Sequence, residues 1–199
     1  VESNDLSVTG GAGNDTFTML AIDTSDSVNG GAGTDTIITD SANAVALDGA
    51  TRTTFTNVEG LTVNDTLVGD LNVYQIGGSF TTVNLTEVSA SIIDSTENIT
   101  GGSALTLNLG GEGDANTHLD GALTVTDTGS ATTDSATIVS KAKLSTGVNI
   151  DVFNAQNVTS TGYENLTINT GDGTGNDQAD ITLLTITPDD TSAAVSLTL

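Results

Sequence analysis

The chain has 199 residues, with 26 Asp and Glu against 3 Lys and Arg, for a formal charge of -23. At 36% hydrophobic residues and a mean hydropathy of +0.03 it is too apolar for a solvated acidic tail, and long enough to bury a core. Three bases (Arg52, Lys141 and Lys143) cannot neutralise a phosphate track, which excludes nucleic acid, and no apolar run approaches the ~20 residues of a membrane span.

Cations are therefore the expected partners of the surface. There is no cysteine, so a secreted protein of this kind needs a staple other than disulfides. Val1 opens no signal peptide, and the ends read as those of a segment of a longer chain or of a mature product.

In chain order, Asn4-Asp5-Leu6-Ser-Val8 reads as the tail of a repeat whose first clear copy is Gly10-Gly-Ala-Gly-Asn-Asp15-Thr-Phe-Thr18. The copy returns as Gly30-Gly-Ala-Gly-Thr-Asp35-Thr-Ile-Ile38, identical at six of nine positions and offset by 20 residues. Between them, Ala21-Ile-Asp-Thr-Ser-Asp26-Ser-Val28-Asn29 keeps the acidic and apolar positions but not the glycines. The order is that of the Gly-Gly-x-Gly-x-Asp-x-U-x nonapeptide, with Phe17, Val28 and Ile37 as the inward apolar residue U.

Downstream, short alternating runs predict strands at Leu61-Thr-Val63, Val83-Asn-Leu85, Leu105 to Leu109, Leu123-Thr-Val125, Val148 to Val152, Leu166-Thr-Ile168 and Val195 to Leu199. The 37 threonines favour strand, and no stretch sustains helical apolar spacing. A second phrase, with Glu ahead of an apolar-Thr-apolar run, recurs at Glu59, Glu97 and Glu164 and predicts an acidic turn just before a strand. At about twenty residues per coil the chain would make about ten turns, roughly 50 Å of rod at ~4.8 Å per strand.

The repeat has a metal-binding logic. Glycines allow positive φ and bring carbonyl oxygens close to an ion, while the sixth-position Asp adds a hard anionic oxygen. One coil apart, the Gly10–Asp15 and Gly30–Asp35 turns stack, and Asp15, Asp35 and facing carbonyls are expected to share one Ca²⁺. The expected metal residues are Gly11, Gly13, Asp15, Asp26, Gly31, Gly33 and Asp35, with Asp177 added from Asp172-Gly-Thr-Gly-Asn-Asp177. A weaker turn, Gly110-Gly-Glu-Gly-Asp114-Ala-Asn116, carries its Asp one place early.

Residues 4–38 resemble the RTX family of secreted calcium-binding β-roll proteins. The Thr-rich remainder, with its Glu phrases, resembles RTX-containing bacterial surface-layer (S-layer) proteins. The resemblance implies an all-β chain: a parallel β-roll or β-solenoid over 1–40, then a Thr-rich β-solenoid, irregular β-helix or β-sandwich over 41–199. It further implies type I secretion, a cell-surface location and Ca²⁺-dependent folding and self-assembly into a lattice, with cell-surface polysaccharide as another partner and no membrane insertion. The alternative it leaves open is a secreted RTX adhesin binding cells, glycans or, with less support, ice. An RTX tail on a secreted enzyme would need a catalytic domain elsewhere.

An enzymatic role is not expected. His118 is the single imidazole, aromatic sugar platforms are scarce at 3% aromatics, and no phosphate loop or dinucleotide fingerprint occurs.

Overall fold

The computed structural model describes residues 5–47, 54–77, 79–87, 91–110, 118–129, 131, 133–140, 156–169, 181–189 and 196–198. These are mostly β, and every strand pairing among them is parallel. Parallel neighbours cannot be joined by tight hairpins, so the chain must leave each sheet and come back to it.

The longest sheet has eight strands: β2 (Thr16–Thr18), β4 (Thr36–Thr39), β6 (Gly60–Val63), β8 (Thr82–Leu85), β11 (Ala104–Leu109), β14 (Ser135–Ser140), β16 (Asn165–Asn169) and β18 (Ser196–Thr198). They lie side by side in chain order. Between successive members the chain contributes strands to other sheets. β1 (Ser7–Thr9), β3 (Ser27–Asn29) and β5 (Phe55–Thr56) form one of these. β7 (Leu71–Asn72), β10 (Glu97–Gly101), β13 (Leu123–Asp127), β15 (Gln156–Gly162) and β17 (Ile181–Pro188) form another, and β9 (Ser91–Ile93) pairs with β12 (His118–Leu119). Two short helices, α1 (Ser41–Ala46) and α2 (Val73–Ile76), fill connections, with Asp40 and Asn72 capping their N-termini. No described helix is long and apolar enough to cross a membrane.

Register turns the alternation of each strand into continuous columns. Phe17, Ile37, Leu61, Val83, Leu107, Ile138 and Ile168 stack along the inner face of the long sheet, all but Phe17 fully buried. Leu71, Ile99, Val125, Ser160 and Ile186 form the facing column of the five-stranded sheet. Burying each such aliphatic side chain contributes about 1.5–3 kcal/mol, so the column is what holds very short strands in place.

One position before the core column, on the opposite face, stands a second rank: Thr16, Thr36, Gly60, Thr82, Thr106, Thr137, Thr167 and Thr198. Seven of the eight are threonine. The spacing between rungs is not constant: by register it is 20 residues from Thr16 to Thr36 and 30 from Thr137 to Thr167. The expected ten turns of twenty residues are therefore eight longer rungs in the described residues, spanning about 34 Å at ~4.8 Å per strand.

Candidate metal centres at the strand-entry edge

The two glycine turns stack as their spacing predicts. The Ala32 amide donates to the Gly11 carbonyl (2.9 Å), Thr34 N–H to Asn14 Oδ1 (2.9 Å), and Thr36 N–H to the Asp15 carbonyl (2.9 Å). The fit requires glycine. Gly31 and Gly33 have φ of +102° and +139°, and a Cβ on either would fall 2.1 Å from the Gly11 carbonyl oxygen or 2.4 Å from that of Gly13.

The acidic residues are tied into this stack through backbone amides. Asp15 Oδ2 accepts from Gly11 N–H at 2.7 Å, and the Asp15 amide donates to Asp35 Oδ1 at 2.7 Å. The Asp35 amide in turn donates to Glu59 Oε2 at 2.8 Å. Asp15, Asp35 and Glu59 thus form a ladder immediately ahead of β2, β4 and β6, each carboxylate beyond the first taking the amide of the rung before it. Asp35 is fully buried, and its Oδ2 has no hydrogen-bond partner. Gly10 and Gly30 stand over these carboxylates, where a Cβ would come within 2.7 Å of Asp15 Oδ2 and 2.4 Å of Asp35 Oδ2.

Asp26 is not part of that ladder. It precedes β3 in a different sheet, and both its oxygens are engaged, Oδ1 by Leu6 N–H and Oδ2 by Asp23 N–H, each at 2.9 Å. It acts as a turn brace. Asp177 and the turn following Gly110 lie outside the described residues.

The Glu phrases divide. Glu164 repeats the role of Glu59: it sits ahead of β16, and its Oε2 accepts from the Asp134 amide at 3.0 Å. Glu97 instead opens β10 in the five-stranded sheet, where Ser95 Oγ donates to it at 2.7 Å. Burial raises its pKa, and the charges of Asp94 and Asp70 push the same way against the Ser95 hydrogen bond. His118, in β12, is paired with Asp120 at 3.0 Å.

The fold brings together one further acidic group. Asp127 ends β13, Asp134 precedes β14 and Asp189 follows β17, and ligand oxygens of all three lie within 4.8 Å of one another. Among the described residues it is the one triad of possible metal-ligating side chains that close. Burial pushes Asp127 up to about 6 against the opposing pull of the Gly129 amide, with the neighbouring Asp134 and Asp189 carboxyls adding to the rise. Asp127 and Asp134 flank the short β13–β14 connection, but nothing in the sequence marks Asp189 as their neighbour; the pairing of β13 and β17 on either side of β15 brings it to them.

Protein-family models, curated proteins and solved structures were all compared with this chain, and none matched.

Proposed function

We propose that this chain is a structural segment of a bacterial surface layer: a parallel β-solenoid whose glycine turns fold around Ca²⁺ after export and which then associates with copies of itself. The observation that carries this reading is the stacked pair of nonapeptide turns with a fully buried Asp35 carboxylate oxygen lacking any partner. A buried carboxylate oxygen left without a donor is costly. A hard cation held by Asp35, Asp15 and carbonyls of the Gly10–Gly13 and Gly30–Gly33 turns removes that cost, and oxygen-only donors suit Ca²⁺.

Affinity supplies the timing. Extracellular calcium sites bind at ~10⁻⁴–10⁻³ M, so the turns stay unpaired in a producing cytosol and close outside. Acidic edges of neighbouring copies repel until the same ion bridges them.

The Thr rank on the outer face of the long sheet favours a second reading, that of an adhesin presenting a flat hydroxyl face to a cell, a glycan or ice. Electron microscopy of the full chain, with Ca²⁺ and with EGTA, separates the two. The surface-layer reading expects ordered sheets with Ca²⁺ and none with EGTA. It also expects Asp15→Ala with Asp35→Ala to abolish the calcium-induced rise in β circular dichroism. A double variant that folds and assembles at unchanged calcium refutes it, and a calcium-bound monomer that binds cells or glycans supports the adhesin.

A further inference from the structure

We propose that Asp127, Asp134 and Asp189 form a second divalent-cation site, a Ca²⁺ staple that owes nothing to the glycine turns and ties together the later rungs of the molecule. Three observations carry it. The first is convergence: oxygens from both sides of the β13–β14 corner and from the residue after β17 lie within 4.8 Å of one another. Two ligands on opposite sides of a Ca²⁺ at 2.3–2.6 Å stand about 4.6–5.2 Å apart, so the triad fits around one ion.

The second is the state of those oxygens. Asp127 and Asp134 are 9% and 1% exposed, and Asp127 Oδ1, Asp127 Oδ2 and Asp134 Oδ2 have no hydrogen-bond partner. Buried carboxylate oxygens left without donors are rare because they forfeit water for nothing. Asp189 is exposed, which gives the group an opening to solvent.

The third is the space around Asp127. Its paired neighbour in β10 is Gly101, and on the other side Gly162 has a φ of +90° with a Cβ position 2.9 Å from the Asp127 Cβ. Gly129 also closes on it, with a Cβ position 2.7 Å from Asp127 Oδ2. Gly129 and Gly162 thus leave no room for a side chain on their sides of Asp127. An all-carboxylate donor set is hard, which selects Ca²⁺ or Mg²⁺ over Zn²⁺ or Cu²⁺. Three carboxylates with the backbone carbonyls of a corner suit the larger, less demanding Ca²⁺.

The ion would act as a clamp across β15. Asp127 ends one of the two strands flanking β15, Asp189 directly follows the other, and Asp134 begins the return to the long sheet. Binding there holds the corner between the two sheets at the rungs furthest from the glycine turns.

The test uses the full chain, stripped of metal and titrated with Ca²⁺ by calorimetry at neutral pH, beside Asp127→Asn, Asp189→Asn and the Asp15→Asn/Asp35→Asn double variant. Each of the first two is expected to bind one Ca²⁺ fewer than the parent, while the double variant keeps this site. Asp189→Asn alters an exposed side chain, so its result stands even where Asp127→Asn disturbs folding. Thermal melts give a second readout. Asp127→Asn is expected to raise the midpoint in chelator, by removing a buried charge, and to lower it relative to the parent in Ca²⁺. Unchanged stoichiometry in both single variants overturns the site, and so does a titration in which Mg²⁺ but not Ca²⁺ binds. Loss of binding in the double variant alone would uphold the glycine-turn site and refute this one.

Discussion

At the scale of single residues, the same sequence phrase does two different things. Glu59 and Glu164 stand ahead of strands in the long sheet and accept an amide from the preceding rung, whereas Glu97 is buried at the start of β10 with a serine hydroxyl as its partner. Burial raises the Glu97 pKa above the unfolded value, so the folded chain binds its proton more tightly than the unfolded chain does. The sign follows from linkage: this group destabilises the fold where both states are ionised. That penalty fades as pH falls through the raised folded value, and is gone below the unfolded value near ~4.3. Calcium-free protein is therefore expected to gain stability between neutral pH and about pH 4–5. Urea midpoints across that window should rise as pH falls, and Glu97→Gln, which retains an acceptor for Ser95, should flatten the rise. A slope identical to the parent's would mean that Glu97 is solvated and carries none of it.

At the scale of elements, stability is set by columns and not by individual strands. A three- or four-residue strand has almost no independent stability, but Ile37 or Leu107 is packed above and below by the next rung as well as across the core. Leu107→Ala should cost about 2–5 kcal/mol, while Thr137→Ala, one residue ahead of the core column and on the outer face, should stay within ~0.5 kcal/mol. Urea unfolding of both variants in Ca²⁺ measures the contrast, and equal losses would show that the outer threonines are not solvent-facing. The same logic governs what the residues reveal in advance. The stretches around Leu61, Val83, Leu107, Leu123 and Leu166 alternate cleanly and are strands. β14 and β15 draw on Ser, Ala, Asn and Gln, and β17 carries a Leu183-Leu184 doublet, so period two is blurred there, and the register of β15 with β17 shifts between Gln156 and Asn157. α1 and α2 are six and four residues long, too short to show a 3.6-residue period. The Thr rank is invisible in sequence for a different reason. Its members are separated by loops of unequal length, and only register aligns them. Asp127, Asp134 and Asp189 are hidden in the same way, whereas Gly10–Asp15 and Gly30–Asp35 are legible because copies exactly one rung apart must stack.

At the scale of the whole molecule, a charge of -23 invites the simplest explanation, that cations merely screen it. Screening and coordination make opposite demands on the ion. If smeared repulsion were the obstacle to folding, any salt would serve, because at 1 M the Debye length is about 3 Å and exposed carboxylates cease to sense one another. The buried oxygens of Asp35, Asp127 and Asp134 that lack partners inside the protein are not reached by that mechanism, and under the proposed calcium reading an ion enters and coordinates them. Sodium chloride at about 1 M in chelator is therefore expected to compact the chain only partly, leaving β circular dichroism and the sedimentation coefficient short of those reached with millimolar Ca²⁺. Calcium should restore both at low ionic strength, in a saturable manner, with Mg²⁺ a poor substitute. Full recovery in sodium chloride alone would show that the acidic residues act as diffuse charge and that the buried carboxylates fold protonated.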